Sequence, residues 1–352
     1  MAGKENASQP RDSRLCSSWM MSCLLLLLSF SAAAQSGTAG TSPAQALSLG
    51  KAYYSGQGQG IPQDAAKAVQ WFSTAVAGGS VEARAWLGDA YLEGRGVSPD
   101  LAKGASLIQA AATSGDPVGL RFLGVMYQTG QGVDRNYEKA LEAYSSAAGK
   151  NDANSYDRLG ILYLRGLGVK QDVGKAAWYF TKGASLGDSW AQLNLGELYQ
   201  GGRIHSARSV SAAPSAGAPS GQLSGLGVAS SDLNRTMAIS LFKQSADQEN
   251  RVAAFELGML YLQGSNPDLG SAARYLRQSA SARYAPAQVE IGKILELGQG
   301  VPVDLAHAYM WYSLAVGQGS EDANQRLQRL TAKMTSQEIE AGESALISVT
   351  RK

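Results

Sequence analysis

A Leu-Gly pair followed three residues later by Tyr recurs along this chain. Its glycines are Gly50, Gly88, Gly124, Gly160, Gly196, Gly258 and Gly292, with Ile291 and Leu295 filling the flanking slots of the last copy. The spacings are 38, 36, 36, 36, 62 and 34, so the fifth copy carries 26 residues beyond the 36-residue period. A fixed period of this size argues for a stacked array. Each unit is one supersecondary element whose apolar face is buried only against its neighbours.

The fourth copy, Leu159 to Ala191, shows what the unit is. Leu159, Leu162 and Tyr163 fall at i, i+3 and i+4, the spacing of one helix face. Gly166-Leu167-Gly168 then stops the helix, because glycine adopts the left-handed conformation of helix ends. Asp172 is placed to cap a second helix, in which Ala176, Tyr179 and Phe180 recur at helical spacing before Gly187 ends it. The unit is therefore a helix, a tight glycine turn and an antiparallel helix. Each Leu-Gly glycine lies inside its helix, at a cost of roughly 1 kcal/mol relative to alanine. Seven repetitions imply a close approach, and we expect the neighbouring repeat to pack there. In the second helices one slot holds Trp71, Leu107, Ala143, Tyr179, Leu241, Tyr275 and Trp311. The next holds Phe72, Ile108, Tyr144, Phe180, Phe242, Leu276 and Tyr312. An aromatic ligand cage would use such residues too, but recurrence in register reads as core packing.

The pattern LGxxYxxGxGVxxDxxKAxxWYxxAAxxGxxxA resembles the Sel-one-like repeat, a relative of the tetratricopeptide repeat. It runs from about Ala44 to Ala323. The resemblance implies an all-α fold, a right-handed superhelical solenoid of seven antiparallel helix pairs. It also implies an adaptor that binds protein or peptide partners on the concave face of its first helices. Two departures stand out. The fifth repeat is interrupted by residues 204–230, a Ser, Ala, Gly and Pro-rich stretch that reads as a flexible surface insertion. The turn of the sixth repeat is shortened at Gly264-Ser265-Asn266-Pro267-Asp268. Beyond Ala323 the signature stops. Asn324 to Lys333 reads as a polar helix, and Thr335-Ser336-Gln337-Glu338 as a capping box for a last helix, so 324–352 is assigned as a C-terminal helical cap.

The first 34 residues read as a secretory signal peptide. Lys4, Arg11 and Arg14 precede an apolar stretch from Trp19 to Phe30, and Ala32-Ala33-Ala34 offers a small-residue cleavage site before Gln35. An uncleaved anchor is the alternative, although the stretch falls short of the roughly 20 residues a span needs. The expectation is export to the periplasm or beyond, with residues 35–43 as a linker and no stable membrane insertion. Both cysteines, Cys16 and Cys23, lie in this segment, so the mature chain has none despite an oxidising destination. Some exported relatives clamp their repeats with disulfides and are linked to penicillin binding. A cysteine-free chain is a poor fit to that subgroup.

Chemistry for catalysis is sparse. His205 and His307 are the only histidines, so a multi-histidine metal site is excluded, and no metal or other cofactor is expected. His205 lies in the insertion, and His307 occupies the slot of Lys67, Lys103, Lys139 and Lys175. Asp64, Asp100, Asp172 and Asp304 recur with the repeat and read as helix caps. The glycine turns follow helices and lack the ending of a phosphate loop. The 31 basic and 29 acidic residues leave +2, which gives no basis for nucleic-acid binding. The reading is a non-catalytic adaptor. A glycan or exopolysaccharide binder is the alternative, and a β-lactam-binding envelope enzyme a more distant one.

The candidate groove comes from two columns on the first helices. One residue after each glycine stand Lys51, Asp89, Val125, Ile161, Glu197, Met259 and Lys293. Five after it stand Ser55, Glu93, Thr129, Arg165, Gly201, Gln263 and Leu297. These positions vary where packing slots repeat, as exposed positions do. Val125 and Ile161 are expected to be exposed apolar residues, which read equally as anchors for a partner or as the scattered surface hydrophobes that are normal on any protein.

Overall fold

The computed structural model describes residues 40–56, 61–204, 230–264 and 266–350. The signal segment 1–34, most of the linker, and insertion residues 205–229 with His205 lie outside the described residues. Among the described residues there are sixteen α-helices and no strand. The chain divides into two compact units, residues 1–114 and 115–352. The first unit holds α1 (Pro43–Ser55), α2 (Ala65–Ala77), α3 (Val81–Glu93) and α4 (Leu101–Thr113). The second holds α5 (Pro117–Thr129), α6 (Tyr137–Ala148), α7 (Ala153–Arg165), α8 (Val173–Ser185), α9 (Ser189–Gln200) and α10 (Ser230–Ala246). It continues with α11 (Arg251–Leu262), α12 (Leu269–Ser281), α13 (Ala285–Leu297), α14 (Leu305–Val316), α15 (Glu321–Thr331) and α16 (Ser336–Thr350). Each odd helix up to α13 pairs with the even helix that follows it, giving an all-α solenoid of helix pairs within each unit.

Side-chain caps place the helix starts. Asp64, Asp100, Asp172 and Asp304 each accept a hydrogen bond from the amide three residues on, at 2.9–3.0 Å. Such a bond satisfies one of the orphan donors of a first turn. The repeating carboxylates are therefore caps. His307, exposed, places Nδ1 2.7 Å from Asp304 Oδ2. At the other end of the first helices, Gly56, Gly94, Gly130, Gly166 and Gly298 sit in the left-handed region.

The core is built from one recurring contact. Phe72, Ile108, Tyr144, Phe180, Phe242, Leu276 and Tyr312 are all fully buried. Each lies over the Leu-Gly glycine of its own repeat: a Cβ on Gly124 would come 2.6 Å from the Tyr144 ring, and one on Gly292 2.5 Å from that of Tyr312. The close approach is real, but the sequence reading assigned it to the neighbouring repeat. It belongs to the partner helix within the same pair. Contact with the preceding repeat falls instead on the second turn glycine. Gly168, at φ +70°, would place a Cβ 2.6 Å from Tyr137 at the start of α6, and Gly96 and Gly300 abut Ala65 and Leu269 in the same way. One glycine closes the hairpin and another seats it on the hairpin before.

The irregular repeats are repaired locally. Ile204, assigned by the sequence to the flexible insertion, is 2% exposed and belongs to the core formed by Leu198, Ala238 and Phe242. Its carbonyl accepts from Asn234 Nδ2 at 3.3 Å, so the ordered fifth pair runs to residue 204 and resumes at 230. In the sixth pair Gln263, at the end of α11, is extended and no left-handed glycine caps the helix. Arg235 of α10 substitutes, donating from Nη2 to the Leu260 and Gln263 carbonyls at 2.7 and 3.1 Å. The cap begins at Glu321, earlier than the sequence boundary, and comprises two helices. The Thr335–Glu338 box forms with bonds of 2.8 and 3.3 Å. Gly342 of α16 lies against Tyr309, so the last helix covers α14.

Candidate partner-binding face

The first helices present the predicted columns, but with different degrees of exposure in the two units. In the first unit Lys51 is exposed and pairs with Glu82 at 2.7 Å, its ammonium 5.7 Å from the Trp86 ring centroid. Asp89 accepts from the Tyr54 hydroxyl at 2.7 Å, and Glu93 is exposed at the end of α3. This is a stitched surface, in which charged groups already have internal partners.

In the second unit Val125 and Ile161 are half-buried and pack against the cores around Tyr144 and Phe180. The expectation of exposed apolar anchors at these two positions is therefore corrected. Each shares its helix face with residues that lean on the adjoining helix. Met259 is likewise half-buried against the core around Leu276. Lys293 pairs with Glu290 at 2.6 Å. Thr129, Arg165, Glu197 and Gln263 are exposed, and Leu297 is 62% exposed at the end of α13.

A third column, two residues before each glycine, was missed in the sequence. Helical neighbours three apart share a face, so this position adjoins the one after the glycine. In the second unit it holds Phe122, which is buried, followed by Arg158, Asn194, Glu256 and Glu290. With it comes Trp190, four residues further back on α9 and 48% exposed. The variable chemistry of this column gave no motif; only the spacing could have found it.

These residues give the face its electrostatics. Asp157 of α7 is 2% exposed and accepts from Asn194 Nδ2 at 2.7 Å, which ties α9 to α7. Burial, reinforced by the nearby Asp188 charge, pushes its carboxyl up to about 7, against the pull of the Asn194 bond and Arg158. Arg158 Nε and Asn154 Oδ1 are buried without a hydrogen-bond partner. Glu197 keeps solvent access while surrounding protein displaces enough water to raise its carboxyl above the usual range. Glu256 is raised by burial and further by the Glu197 charge. Among the described residues no three His, Cys, Asp or Glu side chains are grouped to hold a metal ion, and no helix is long and apolar enough to cross a membrane.

Comparison with known proteins agrees with this architecture. The Sel1 repeat matches residues 46–80, 81–116, 117–152, 153–188, 191–209, 221–250, 251–284 and 285–320. The segments 191–209 and 221–250 overlap α9 and α10, the helices of the interrupted fifth pair. The crystal structure of a Sel1 repeat protein from Oxalobacter formigenes is 29% identical with a TM-score of 0.51, covering 70% of this chain and 91% of that one. DAP3-binding cell death enhancer 1 of Mus musculus is 34% identical over 100 residues, and that of Rattus norvegicus 33%. The match covers 28% of this chain and spans about a fifth of the length of those curated relatives. Sel1 repeats serve generally as protein-interaction scaffolds. With the repeat matched over most of its length, this chain belongs to the Sel1 repeat family.

Proposed function

We propose that this chain is an exported, non-catalytic adaptor that holds a protein or peptide partner on the first-helix face of its repeats. The observation that carries the reading is the contrast between slots. The seven second-helix core positions are uniformly buried, whereas the first-helix face two residues before, one after and five after the glycine changes chemistry from repeat to repeat. A surface of variable side chains on an invariant frame suits recognition of a partner. The basic, apolar and small-residue order of residues 1–34 supports export. The glycan reading has one supporting observation, the half-exposed Trp190 indole.

The experiment is capture from a cell-envelope fraction on the full-length protein, compared with a Thr129→Arg, Arg165→Glu variant. Both residues are exposed in the last turns of α5 and α7. The partner should be retained by the parent and lost from the folded variant; equal capture would move the surface elsewhere. Val125→Glu with Ile161→Glu is a poorer test, because half-buried positions would mix lost binding with lost packing.

A further inference from the structure

We propose that the joint at which α7 of the fourth repeat meets α9 of the fifth is a pH-operated latch, closed while the Asp157 carboxyl holds its proton and loosened when the proton leaves. The latch acts on the spacing of two repeats, whichever partner the face holds.

One residue breaks a column. Three residues before each glycine stand Leu47, Ala85, Arg121, Asp157, Leu193, Phe255 and Val289. Ala85, Leu193 and Val289 are buried, and so is Asp157, at 2% exposed. A carboxyl in a slot that other repeats fill with apolar side chains costs stability, because burial strips it of water. Arg121, the other charged member, is answered by Asp152 at 3.4 Å. Among the described residues Asp157 has one hydrogen bond, from Asn194 Nδ2 at 2.7 Å, and that bond crosses to the next repeat. α7 and α9 approach each other more closely than any other two first helices of the second unit. Gly183 of α8 lies against the starts of both: a Cβ on it would come 2.7 Å from the Ala191 Cβ of α9 and 3.1 Å from the Ala153 carbonyl oxygen of α7.

The groups around Asp157 decide the sign. At the start of α9, Asp188 faces it with a like charge. On α7 itself Arg158 attracts it, but the Arg158 Nε is buried without a hydrogen-bond partner. From the third repeat come Arg121, already paired, and the Tyr144 hydroxyl of α6, which donates to Gln128 at 2.7 Å. The lysines of α8 are turned elsewhere, Lys175 over the Tyr163 ring and Lys182 over that of Trp178. Burial and Asp188 therefore outweigh Asn194 and Arg158, and the carboxyl is pushed up to about 7. Asn154 points the same way. Its Nδ2 donates to Asp188 Oδ2 at 3.4 Å, which leaves its Oδ1 buried without a donor. Asn154 and Asp157, three residues apart, share a helix face, and of the two forms of Asp157 only the protonated acid can donate. Ionisation removes that donor and demands water, which reaches the carboxylate when α9 parts from α7. With the joint closed the carboxyl titrates near 7, and with it open and wet near the usual 3.8. Opening therefore becomes easier by up to about ten-fold per pH unit between those values and levels off above them.

The test is backbone amide hydrogen exchange of the full-length protein from pH 5 to 8, corrected for the intrinsic pH dependence of exchange. Protection in α7 and α9 should fall about ten-fold or more between pH 5 and 7 and level off toward pH 8, with a smaller change in α12 to α14. Asp157→Asn, and Asp157→Leu, which copies Leu193 of the next repeat, should each remove the pH dependence. Asp188→Asn keeps a capping side chain but removes the like charge, and should move the levelling to lower pH. A purely structural Asp157 would not respond to that change. The latch is overturned by protection that changes equally from α5 to α14, by a pH dependence that survives in both Asp157 variants, or by a profile that ignores Asp188→Asn.

Discussion

Gly160 and Gly270 both sit inside helices, and the same substitution should move stability in opposite directions at the two. At Gly160 a Cβ would collide with the fully buried Phe180 ring. Alanine gains roughly 1 kcal/mol of helix propensity there, but overpacking a closed contact costs about 1–3 kcal/mol. The clash wins because neither α8 nor the ring has room to retreat. Gly270 is exposed in the first turn of α12, and the nearest atom to an added Cβ is Asp268 Oδ1 at 3.7 Å. Propensity alone acts at that position. Urea denaturation should show Gly160→Ala destabilised and Gly270→Ala stabilised by up to about 1 kcal/mol. Gly160→Ala as stable as the parent would mean that the hairpin opens more easily than its packing indicates.

Asp157 makes the second prediction at this scale. Its folded carboxyl sits near 7 while an unfolded aspartate titrates near 3.8. Between those values the folded chain holds a proton that the unfolded chain releases, so unfolding free energy falls as pH rises through this window. The ionised group remains unfavourable above it. Asp157→Asn keeps an acceptor for Asn194 and cannot ionise. Melting temperatures measured from pH 4 to 8 should decline less steeply for the variant than for the parent, with the variant ahead at pH 8. Parallel profiles would show that Asp157 contributes nothing to the slope.

At the scale of elements, the fifth repeat separates what was legible in the sequence from what was not. The helix pair, its turn and its caps could be read because each signal recurs elsewhere in register. Phe242 reads as core because Phe72 and Phe180 occupy the same slot. Ile204 has no counterpart in an intact repeat, and its place beside Ser and Ala-rich sequence hid a residue that fills the core. The glycine partners show the same limit. Spacing reveals that a backbone must be approached closely at Gly160, but only the folded hairpin identifies Phe180 as the approaching group. The candidate face was half legible. The columns one and five after the glycine followed from periodicity, whereas Arg158, Asn194 and Glu256 share no chemistry and escaped a search for motifs. Deleting residues 205–229 while keeping Ile204 and Ser230 should shift the melting point by no more than about 4 °C, equivalent to about 1 kcal/mol for a unit of this size. Ile204→Ala alone should cost about 2–5 kcal/mol, because it empties a filled site. Urea midpoints of the two variants check the contrast. The order reversed would place structural weight on the segment and remove it from Ile204.

At the scale of the whole molecule, the described residues are held by repeated short-range packing, and none of them is a cysteine. Cys16 and Cys23 are the only cysteines, and both precede Ala32-Ala33-Ala34. Cleavage after Ala34 would leave a cysteine-free chain from Gln35, held by the contact of a glycine with a buried side chain in each pair and by the seating of turns on preceding repeats. That arrangement tolerates an oxidising compartment without a folding step that depends on oxidation. The prediction concerns the native protein purified from its source. Its intact mass should correspond to a chain beginning at or near Gln35, and its melting temperature should be the same with and without dithiothreitol. A mass that retains residues 1–34 would overturn export by cleavage and return the apolar stretch from Trp19 to Phe30 to the role of an anchor. A melting point lowered by reductant would require a disulfide through Cys16 or Cys23, and so the same retained segment. The two measurements bear on one cleavage event, and agreement between them would support export of the chain before the first-helix face meets its partner.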